Sequence, residues 1–341
     1  MSEKQIVAGI DVGYGVVKCC ISNGNKIITT GFPRLLAEDE STQFEELRGL
    51  TTFQVNGHSY LIGTDALLYP EQIVRDEARD YLLRDEYWLT IGKCLFDLGF
   101  FKLTNEVRLT RLVIGVAPGH FTSEIKKQLR EKALSGLTFT VAQRKFNFSA
   151  AFCNILPQGS GAYFRYILQN DGAMNNDEDY LNLYGVVDIG FRTTDFVMFE
   201  KGRFLGGMNL SEDTGVRIVL DRLREIIRKK YNYSPPIGLL TDVLKGSHLV
   251  YRGRNLDLKE TVTSLLNDLI NQIQNQVHQK WEDRLDRMKA ILITGGGAYF
   301  IKEDFLKTFK SQILVLKTPE MSNAVGFYRY GIMEEAKRNM L

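Results

Sequence analysis

Cysteine and histidine are scarce in this chain of 341 residues, which contains four of each. The cysteines form no Cys-x-x-Cys pair and no cluster with histidine, so the sequence indicates neither a structural zinc site nor a disulfide framework. Because scattered free cysteines are typical of a reducing compartment, we expect a cytoplasmic protein. The cysteines are Cys19, Cys20, Cys94 and Cys153, and the dispersed histidines are His58, His120, His248 and His278.

Long apolar runs and an excess of one charge are also missing. No stretch of 18 apolar residues occurs, so no membrane-spanning helix is predicted. The first residues, MSEKQ, lack the basic-then-apolar order of a signal peptide. Lys and Arg number 43 against 41 Asp and Glu, a net charge of +2, whereas a large nucleic-acid-binding surface normally requires a clear basic excess. We therefore expect no direct contact with membranes or nucleic acid.

What the chain does contain is an internal repeat. DVGYGVVK at 11–18 matches DIGFRTTD at 188–195, an offset of 177 residues. RLVIGVAPGHF at 111–121 matches AILITGGGAYF at 290–300, an offset of 179 residues. Two matches in the same order, at nearly the same offset, indicate a duplicated unit. The alternative is two unrelated α/β domains that both use Gly-rich hairpins.

The periodicity of apolar residues predicts a similar order of elements in both halves. The first half is predicted to contain three strands over 5–31, a hairpin over 51–62, helical turns over 71–99, a buried strand over 111–118 and a helix over 122–134. The second half is predicted to contain three strands over 184–208, helices near 215–230 and 257–285, a buried strand over 290–294, a short strand at 314–316 and a helix over 321–336. These elements predict an α/β protein with two related domains that share a duplicated βββαβα core.

A Gly-rich hairpin follows the first strand of each half. Such a turn lets several backbone N–H groups point into one concavity that binds phosphate, and glycine lets oxygen atoms approach the backbone closely. Two such turns are stronger evidence for a bound triphosphate than one, because Gly hairpins without ligands are common. The candidate phosphate-binding residues are Asp11, Val12, Gly13, Tyr14 and Gly15 in the first turn and Gly190, Phe191, Arg192 and Thr193 in the second.

Asp11 and Asp188 occupy matching positions at the ends of the two strands. A carboxylate beside a phosphate site can hold hydrated Mg²⁺, which needs only one or two carboxylates. The alternative is a pair of turn residues that cap their own backbone. Lys18 lies on the strand that leaves the first turn and is suited to the β- and γ-phosphates, unless it is an ordinary exposed strand lysine. Its repeat partner is Asp195, which makes the two halves asymmetric.

A third Gly-rich segment, Gly295-Gly296-Gly297, follows the buried strand of the second half. It precedes a predicted helical stretch, so backbone amides and a helix start would lie beside a nucleotide. Tyr299 follows and is a candidate to flank a base, although an aromatic residue at this position fits a core equally well.

The three motifs, in this order, resemble those of the actin/Hsp70/sugar-kinase superfamily. GIDVGYGVVK resembles its first phosphate loop, VVDIGFRTTDFVMF its second, ILITGGGAYF its adenosine motif, and LPQGSGAYF its first connecting helix. Three further segments, YLIGTDA, LRDEYWLTIGKCL and SNAVGFYRYG, resemble the actin-like ATPases of the ParM/StbA plasmid-segregation type. The resemblance spans residues 6–331, with gaps at 32–110 and 210–285 where the superfamily has variable outer subdomains.

The resemblance implies an actin-like fold with a nucleotide cleft between two related domains. Domain I would comprise residues 1–165 and about 320–341, with a variable subdomain at about 32–70. Domain II would comprise residues 166–319, with a variable subdomain at about 215–287.

The resemblance also implies a Mg²⁺-dependent ATPase, with GTP as the alternative nucleotide. Such a protein polymerises into filaments that segregate plasmid DNA through a ParR-like DNA-binding adaptor protein. By correspondence with the motifs, Gln158 would position the attacking water, Asp188 would hydrogen-bond that water or a Mg²⁺ ligand, and Asp11 would hold the Mg²⁺ hydration shell. Orienting water and stabilising charge is what phosphoryl transfer requires of a protein. The other interpretation of Gln158 is a polar residue at a helix start after Pro157.

Departures from the superfamily motifs leave the nucleotide preference open. Tyr14-Gly15 replaces the Ser or Thr of many relatives, and Phe191-Arg192 replaces the glycine of Hsp70-like loops. A small-molecule kinase of the same superfamily would need an acidic base near the first connection, and residues 153–165 contain no acidic residue. A non-filamentous nucleotide switch is the second alternative, because no sequence rule locates the head-to-tail surface of a filament.

Overall fold

Two mixed β-sheets form the frame of this protein, each in its own compact unit of the chain. The computed structural model describes residues 5–23, 26–39, 49–74, 81–206, 210–300 and 312–340. One unit comprises Met1–Leu181 and Met321–Leu341, and the other comprises Asn182–Glu320. Among the residues that are described, no helix is both long enough and apolar enough to cross a membrane.

The sheet of the first unit has nine strands in the order β3-β2-β1-β7-β9-β8-β5-β6-β4. The strands are β1 (Val7–Val12), β2 (Val16–Asn23), β3 (Lys26–Pro33), β4 (Leu36–Glu38), β5 (Thr52–Val55), β6 (His58–Ile62), β7 (Glu106–Val116), β8 (Leu137–Val141) and β9 (Arg144–Pro157). The helices in this part of the chain are α1 (Asp85–Asp97), α2 (Ser123–Ser135), α3 (Ser160–Ile167) and the short α4 (Asp177–Tyr180). Short 3₁₀ turns lie at Asp65–Leu68, Pro70–Gln72, Tyr81–Leu83 and Pro118–His120.

The sheet of the second unit has six strands, of which five follow the order β12-β11-β10-β16-β17, while β13 pairs with β11. These strands are β10 (Leu183–Ile189), β11 (Thr194–Glu200), β12 (Arg203–Phe204), β13 (Leu210–Glu212), β16 (Met288–Thr294) and β17 (Gln312–Val315). The intervening chain forms α5 (Val216–Tyr231), α6 (Ile237–Leu244), the hairpin of β14 (Leu249–Tyr251) and β15 (Arg254–Leu256), and α7 (Lys259–Leu285). The last helix, α8 (Ser322–Asn339), belongs to the first unit.

The predicted duplication is confirmed down to the pairing of individual residues. β3-β2-β1-β7-β9 and β12-β11-β10-β16-β17 have the same order and the same mixture of antiparallel and parallel pairs. Asp11 on β1 pairs with Lys18 on β2 and with Gly115 on β7. The equivalent Asp188 on β10 pairs with Asp195 on β11 and with Thr294 on β16. Both aspartates therefore end the central strand of a repeated sheet.

Strands β1 and β10 are the middle strands of the two repeated five-strand segments, and both are buried on both faces. All residues of VAGIDV in β1 and of LYGVVDI in β10 are buried, as expected for strands whose two faces are covered by helices. On the first sheet α8 lies very close to β1 and α3, since a Cβ on Gly326 would lie 1.7 Å from the carbonyl oxygen of Gly161. Gly326, the first glycine of SNAVGFYRYG, is thus required by helix packing.

The largest difference from the sequence prediction is the hairpin of β8 and β9, for which no elements were predicted. Phe146, Phe148 and Ala150 on β9 are buried, whereas Arg144 and Lys145 are exposed. Alternate buried residues are typical of a strand with one buried face. The charged residues at the start of β9 make this alternation hard to recognise in the sequence. The predicted helical stretch over 71–99 is confirmed from the turn at 81–83 onward, whereas Pro70–Gln72 form a 3₁₀ turn and 75–80 lie outside the described residues. The strand predicted over 203–208 extends only over Arg203–Phe204, and residues 207–208 lie outside the described residues.

The first unit continues past the predicted boundary at residue 165 to Leu181. The guanidinium group of Arg329 on α8 explains this, because it donates hydrogen bonds to the carbonyl oxygens of Arg165 and Leu168, at 2.5 and 2.6 Å, and to the side chain of Asn170, at 3.0 Å. Residues beyond α3 are in this way bonded to the last helix of the first unit.

The cysteines of the protein are free and mostly buried. All four are free, and Cys19, Cys20 and Cys94 are buried. Burial raises the pKa of Cys20 and of Cys153 to about 12. Because the thiolate is the reactive form of cysteine, burial keeps these two side chains in the protonated, less reactive form at neutral pH.

A buried ion pair joins α8 to the sheet of the first unit. The guanidinium group of Arg111 on β7 donates to a carboxylate oxygen of Glu335 at 2.7 Å, and the side chains are 8% and 2% exposed. Arg111 also donates to Asn154 on β9, and the second carboxylate oxygen of Glu335 accepts from Arg338 at 2.7 Å. The two buried charges therefore neutralise each other, and each has a further hydrogen-bond partner.

We predict that Glu335→Ala lowers the free energy of unfolding by about 3–5 kcal/mol, because removing one member of a buried ion pair leaves the other charge uncompensated. The neighbouring Glu334→Ala is the matched control, since Glu334 pairs at 3.2 Å with Lys337, whose side chain is 62% exposed. It should change the free energy of unfolding by about 0.5 kcal/mol or less. Urea denaturation followed by circular dichroism measures both, and equal effects of the two substitutions would contradict the prediction.

Candidate functional site

The first hairpin turn joins β1 to β2 at residues 13–15. The amide of Gly13 donates to the carbonyl oxygen of Val16 at 3.1 Å, which closes the turn. The ring of Tyr14 lies beside the guanidinium group of Arg34, at 5.5 Å, and beside the ring of Tyr81, at 6.1 Å. Arg34 also lies 4.8 Å from the ring of Tyr81. Tyr14 replaces a smaller residue of the family motif. These contacts show that its ring packs within its own unit.

The structure brings Asp11, Lys18 and Gln158 together at the base of this turn. One carboxylate oxygen of Asp11 accepts from the Nζ of Lys18 at 3.1 Å, and the other accepts from the Nε2 of Gln158 at 2.8 Å. Asp11 is 2% exposed and Gln158 is 9% exposed. A buried carboxylate is costly unless it is paired and hydrogen-bonded, and these two contacts provide that compensation. The three side chains form a prearranged polar group beside the turn.

Gln158 is held in place by the chain on both sides of it. Its backbone amide donates to the carbonyl oxygen of Val116 at 2.7 Å, which extends the pairing of β7 with β9. The next residue, Gly159, has a φ of +85° and donates its amide to the side chain of Asn323 at 3.1 Å. Helix α3 begins only at Ser160. Gln158 therefore lies before the helix, at the end of a strand, rather than in the first turn of α3.

The second hairpin turn, at residues 190–193, is bonded to the start of α5. The amide of Gly190 donates to the carbonyl oxygen of Thr193 at 2.8 Å and closes the turn. The carbonyl oxygens of Gly190, Phe191 and Arg192 accept from the amides of Val216, Arg217 and Gly215. The Phe191 side chain packs against the apolar core of the second unit. The bulky residue that departs from the family motif thus anchors the loop.

Gly215, which the sequence analysis did not identify, is necessary for this arrangement. A Cβ at position 215 would lie 2.4 Å from the carbonyl carbon of Arg192 and 2.5 Å from the carbonyl oxygen of Phe191. Asn323 was missed in the same way, although it holds Gly159. Neither residue has a local sequence signal, because each acts through a contact with a distant segment.

The third Gly-rich segment packs directly on Asp188. Gly295 has a φ of +85°, and a Cβ there would lie 2.4 Å from a carboxylate oxygen of Asp188 and 2.3 Å from the carbonyl oxygen of Ile189. Asp188 itself is 7% exposed. The residues that follow, Gly296–Phe300, form a 3₁₀ turn. Asp188 and the Gly-rich segment are therefore adjacent parts of one site in the second unit.

Tyr299 lies on the surface of the second unit and is 61% exposed. Its hydroxyl donates to Glu320 at 2.5 Å, and this hydrogen bond raises the pKa of Tyr299. The exposed ring is not a core residue. Its contact with a base stays a prediction.

The donor groups of these loops fit hydrated Mg²⁺ better than a fully protein-coordinated metal. Within the described ranges, no group of three or more His, Cys, Asp or Glu side chains is placed to hold a metal ion. Mg²⁺ keeps several of its waters and needs only one or two carboxylates together with phosphate oxygens. Asp11 and Asp188, each buried at the end of a strand beside a loop, are of the right chemical type for this purpose.

The order of the strands and the paired hairpin loops define a protein of the actin fold. Two family models match the sequence: Actin like proteins N terminal domain over residues 9–161, and Archaeal actin homologue MreB-like, C-terminal, over residues 186–307. The chain belongs to the actin-like proteins, within the superfamily of actin-like ATPases.

Individual relatives agree with this assignment over nearly the whole chain. An archaeal actin homologue from Thermoplasma acidophilum is 25% identical over 94% of this chain and 97% of its own length. The crystal structure of an archaeal actin homologue superimposes with a TM-score of 0.80 at 24% identity, covering 98% of this chain and 100% of the other, and its complex with ADP superimposes with a TM-score of 0.76. A ParM filament structure from Clostridium botulinum has a TM-score of 0.75 at 21% identity, covering 96% of this chain and 99% of the other.

We predict that Gly295→Ala disturbs the second-unit site, whereas Gly296→Ala does not. Alanine at a positive φ destabilises a protein by more than about 1 kcal/mol, and here the new Cβ would also displace Asp188. Gly296 is the matched control, because a Cβ at that position would meet no atom within 4 Å. Thermal unfolding followed by circular dichroism measures the difference. If both variants unfold at the same temperature, Gly295 is not under the constraint described here.

Proposed function

We propose that this chain binds and hydrolyses a nucleoside triphosphate with Mg²⁺ and assembles into filaments when the nucleotide is bound. The observation that supports this function best is the group of Asp11, Lys18 and Gln158, which places a carboxylate, an amide and a cation beside a Gly-containing turn. We propose ATP as the nucleotide, with GTP as the alternative, and plasmid segregation through a ParR-like adaptor in the cytoplasm as the cellular function.

The proposed role of each residue follows from the chemistry of its side chain or backbone. Backbone amides of the turns at 12–15 and 190–193, other than those of Gly13 and Gly190 that close the turns, would bind phosphate oxygens. Residues 295–297 with Tyr299 would bind the nucleoside. Bound Mg²⁺ would neutralise phosphate charge, and Asp11 and Asp188 would hold it through water molecules. Lys18 would exchange its contact with Asp11 for the β- or γ-phosphate. Gln158, already oriented by Asp11, would position the attacking water.

Two relatives support the nucleotide and the assembly. The archaeal actin homologue has been crystallised with ADP, and the ParM of Clostridium botulinum forms filaments. A small-molecule kinase is the less favoured function, because residues 153–165 contain no acidic base for an acceptor hydroxyl. Water is therefore the acceptor that the residues around Gln158 suit best.

Phosphate release and light scattering over a series of protein concentrations test the proposal. With Mg·ATP or Mg·GTP we expect scattering to appear above a threshold concentration, and hydrolysis per molecule to rise with it because filament contacts complete the site. Mg·ADP and nucleotide without Mg²⁺ are the controls. Phosphate release that stays strictly proportional to concentration, without scattering, would rule out assembly. Absence of nucleotide binding would rule out the whole proposal.

We predict that Gln158→Ala slows hydrolysis by about 10²-fold, the usual cost of losing one orienting group in a transition state. Nucleotide affinity should change only a few-fold, because an interaction made only in the transition state does not contribute to ground-state binding. Lys18 still neutralises Asp11 in this variant. Single-turnover phosphate release and equilibrium titration on the same preparation give the two quantities. Unchanged hydrolysis removes Gln158 from the mechanism, and lost affinity makes it a structural residue.

A further inference from the structure

The two hairpins differ in the charges that they place side by side. Residues directly opposite on antiparallel strands have their side chains on the same face. In the first hairpin Asp11 lies opposite Lys18, whereas in the second Asp188 lies opposite Asp195. Both acids of the second pair are buried. The cation that the segment DIGFRTTD contains is Arg192, in the turn itself.

The backbone of Arg192 is fixed by its contacts with the start of α5. Its carbonyl oxygen accepts from the amide of Gly215 at 2.9 Å, and the preceding carbonyl oxygen of Phe191 accepts from Arg217 at 2.8 Å. Gly215 packs too closely on this turn to allow a side chain at that position. The turn therefore presents the Arg192 side chain from a rigid base, so that a change of partner requires rotation of the side chain alone.

The Arg192 side chain has a weak ion pair with Asp213. Its Nε lies 3.4 Å from a carboxylate oxygen of Asp213, and the two side chains are 35% and 77% exposed. Exposed pairs with such geometry contribute little to stability. By contrast, the pair of Lys18 with Asp11 has side chains that are only 15% and 2% exposed. Arg192 is thus a cation in a phosphate-binding turn whose observed acidic partner is easily exchanged.

We propose that Arg192 exchanges Asp213 for the terminal phosphate of a bound nucleoside triphosphate, and that Asp213 is an internal competitor for this arginine. The inference rests on the proposed nucleotide-binding function and adds a residue pair that discriminates triphosphate from diphosphate. A guanidinium group binds phosphate with paired, charge-assisted hydrogen bonds, and the phosphate carries more negative charge than one carboxylate. Only the triphosphate has the terminal phosphate that Arg192 would bind.

Equilibrium titrations test the exchange without relying on hydrolysis. The affinities of a non-hydrolysable ATP analogue and of ADP, each with Mg²⁺, are measured for the unmodified chain, Arg192→Ala, Arg192→Lys, Asp213→Ala and the double variant. Arg192→Ala should weaken binding of the triphosphate analogue at least about tenfold, because it removes the charge-assisted contact with the terminal phosphate. Binding of ADP, which lacks that phosphate, should weaken less than about threefold. Asp213→Ala should strengthen triphosphate binding, and the double variant should match Arg192→Ala, because the competitor acts only through the arginine.

The matched control is the exposed pair of Arg287 with Glu200, at 2.8 Å, which lies at the other end of β11 in the same unit. Arg287→Ala and Glu200→Ala should leave both affinities unchanged. Arg192→Lys keeps the charge and should retain part of the discrimination, which guards against a folding defect in the alanine variant. Equal losses for both nucleotides, or additive effects in the double variant, would overturn the exchange. If the unmodified chain binds neither nucleotide, the proposed function itself fails.

Discussion

The buried carboxylate of Asp11 is stabilised by partners from two other strands of the first unit, β2 and β9. A carboxylate that is 2% exposed is stable only with a cation and hydrogen-bond donors around it. Lys18 is supplied by the antiparallel partner strand β2, through the register in which it lies opposite Asp11. Gln158 is supplied by the end of β9, two strands away across β7. The strand order β2-β1-β7-β9 is therefore needed to neutralise this side chain.

The parts of the fold that could be predicted from the sequence are those that the chain contains twice. The repeat of DVGYGVVK in DIGFRTTD, and of RLVIGVAP in AILITGGG, locates the central strands of both sheets and matches Asp11 with Asp188 in the correct register. Helices α5 and α7 were predictable because each is long and has apolar residues at helical spacing. The same signals show the position of the loops but not which side chains meet there.

What could not be predicted depends on contacts between distant segments. Gly215 and Asn323 carry no local signal, and the structure alone shows that they hold the turns at 190–193 and at Gly159. Likewise, Tyr14 and Phe191 depart from the family motifs, and the sequence does not explain why. In the structure Tyr14 packs against Arg34, and Phe191 packs against the core of the second unit. A motif comparison weighs each position separately, whereas a loop is stabilised by whatever packs against it.

The duplication preserved the main chain and let the side chains diverge, and this divergence explains why the two halves cannot have the same chemistry. Gly115 and Thr294 are equivalent in register. A Cβ on Gly115 would lie 2.4 Å from the ring of Phe327 on α8 and 3.3 Å from Gln158, so only glycine admits both neighbours. Thr294 instead donates its hydroxyl to the carbonyl oxygen of Pro319 at 2.8 Å. Space for the glutamine that bonds Asp11 therefore exists in the first unit, while the second unit has two buried acids, Asp188 and Asp195, at the corresponding pair.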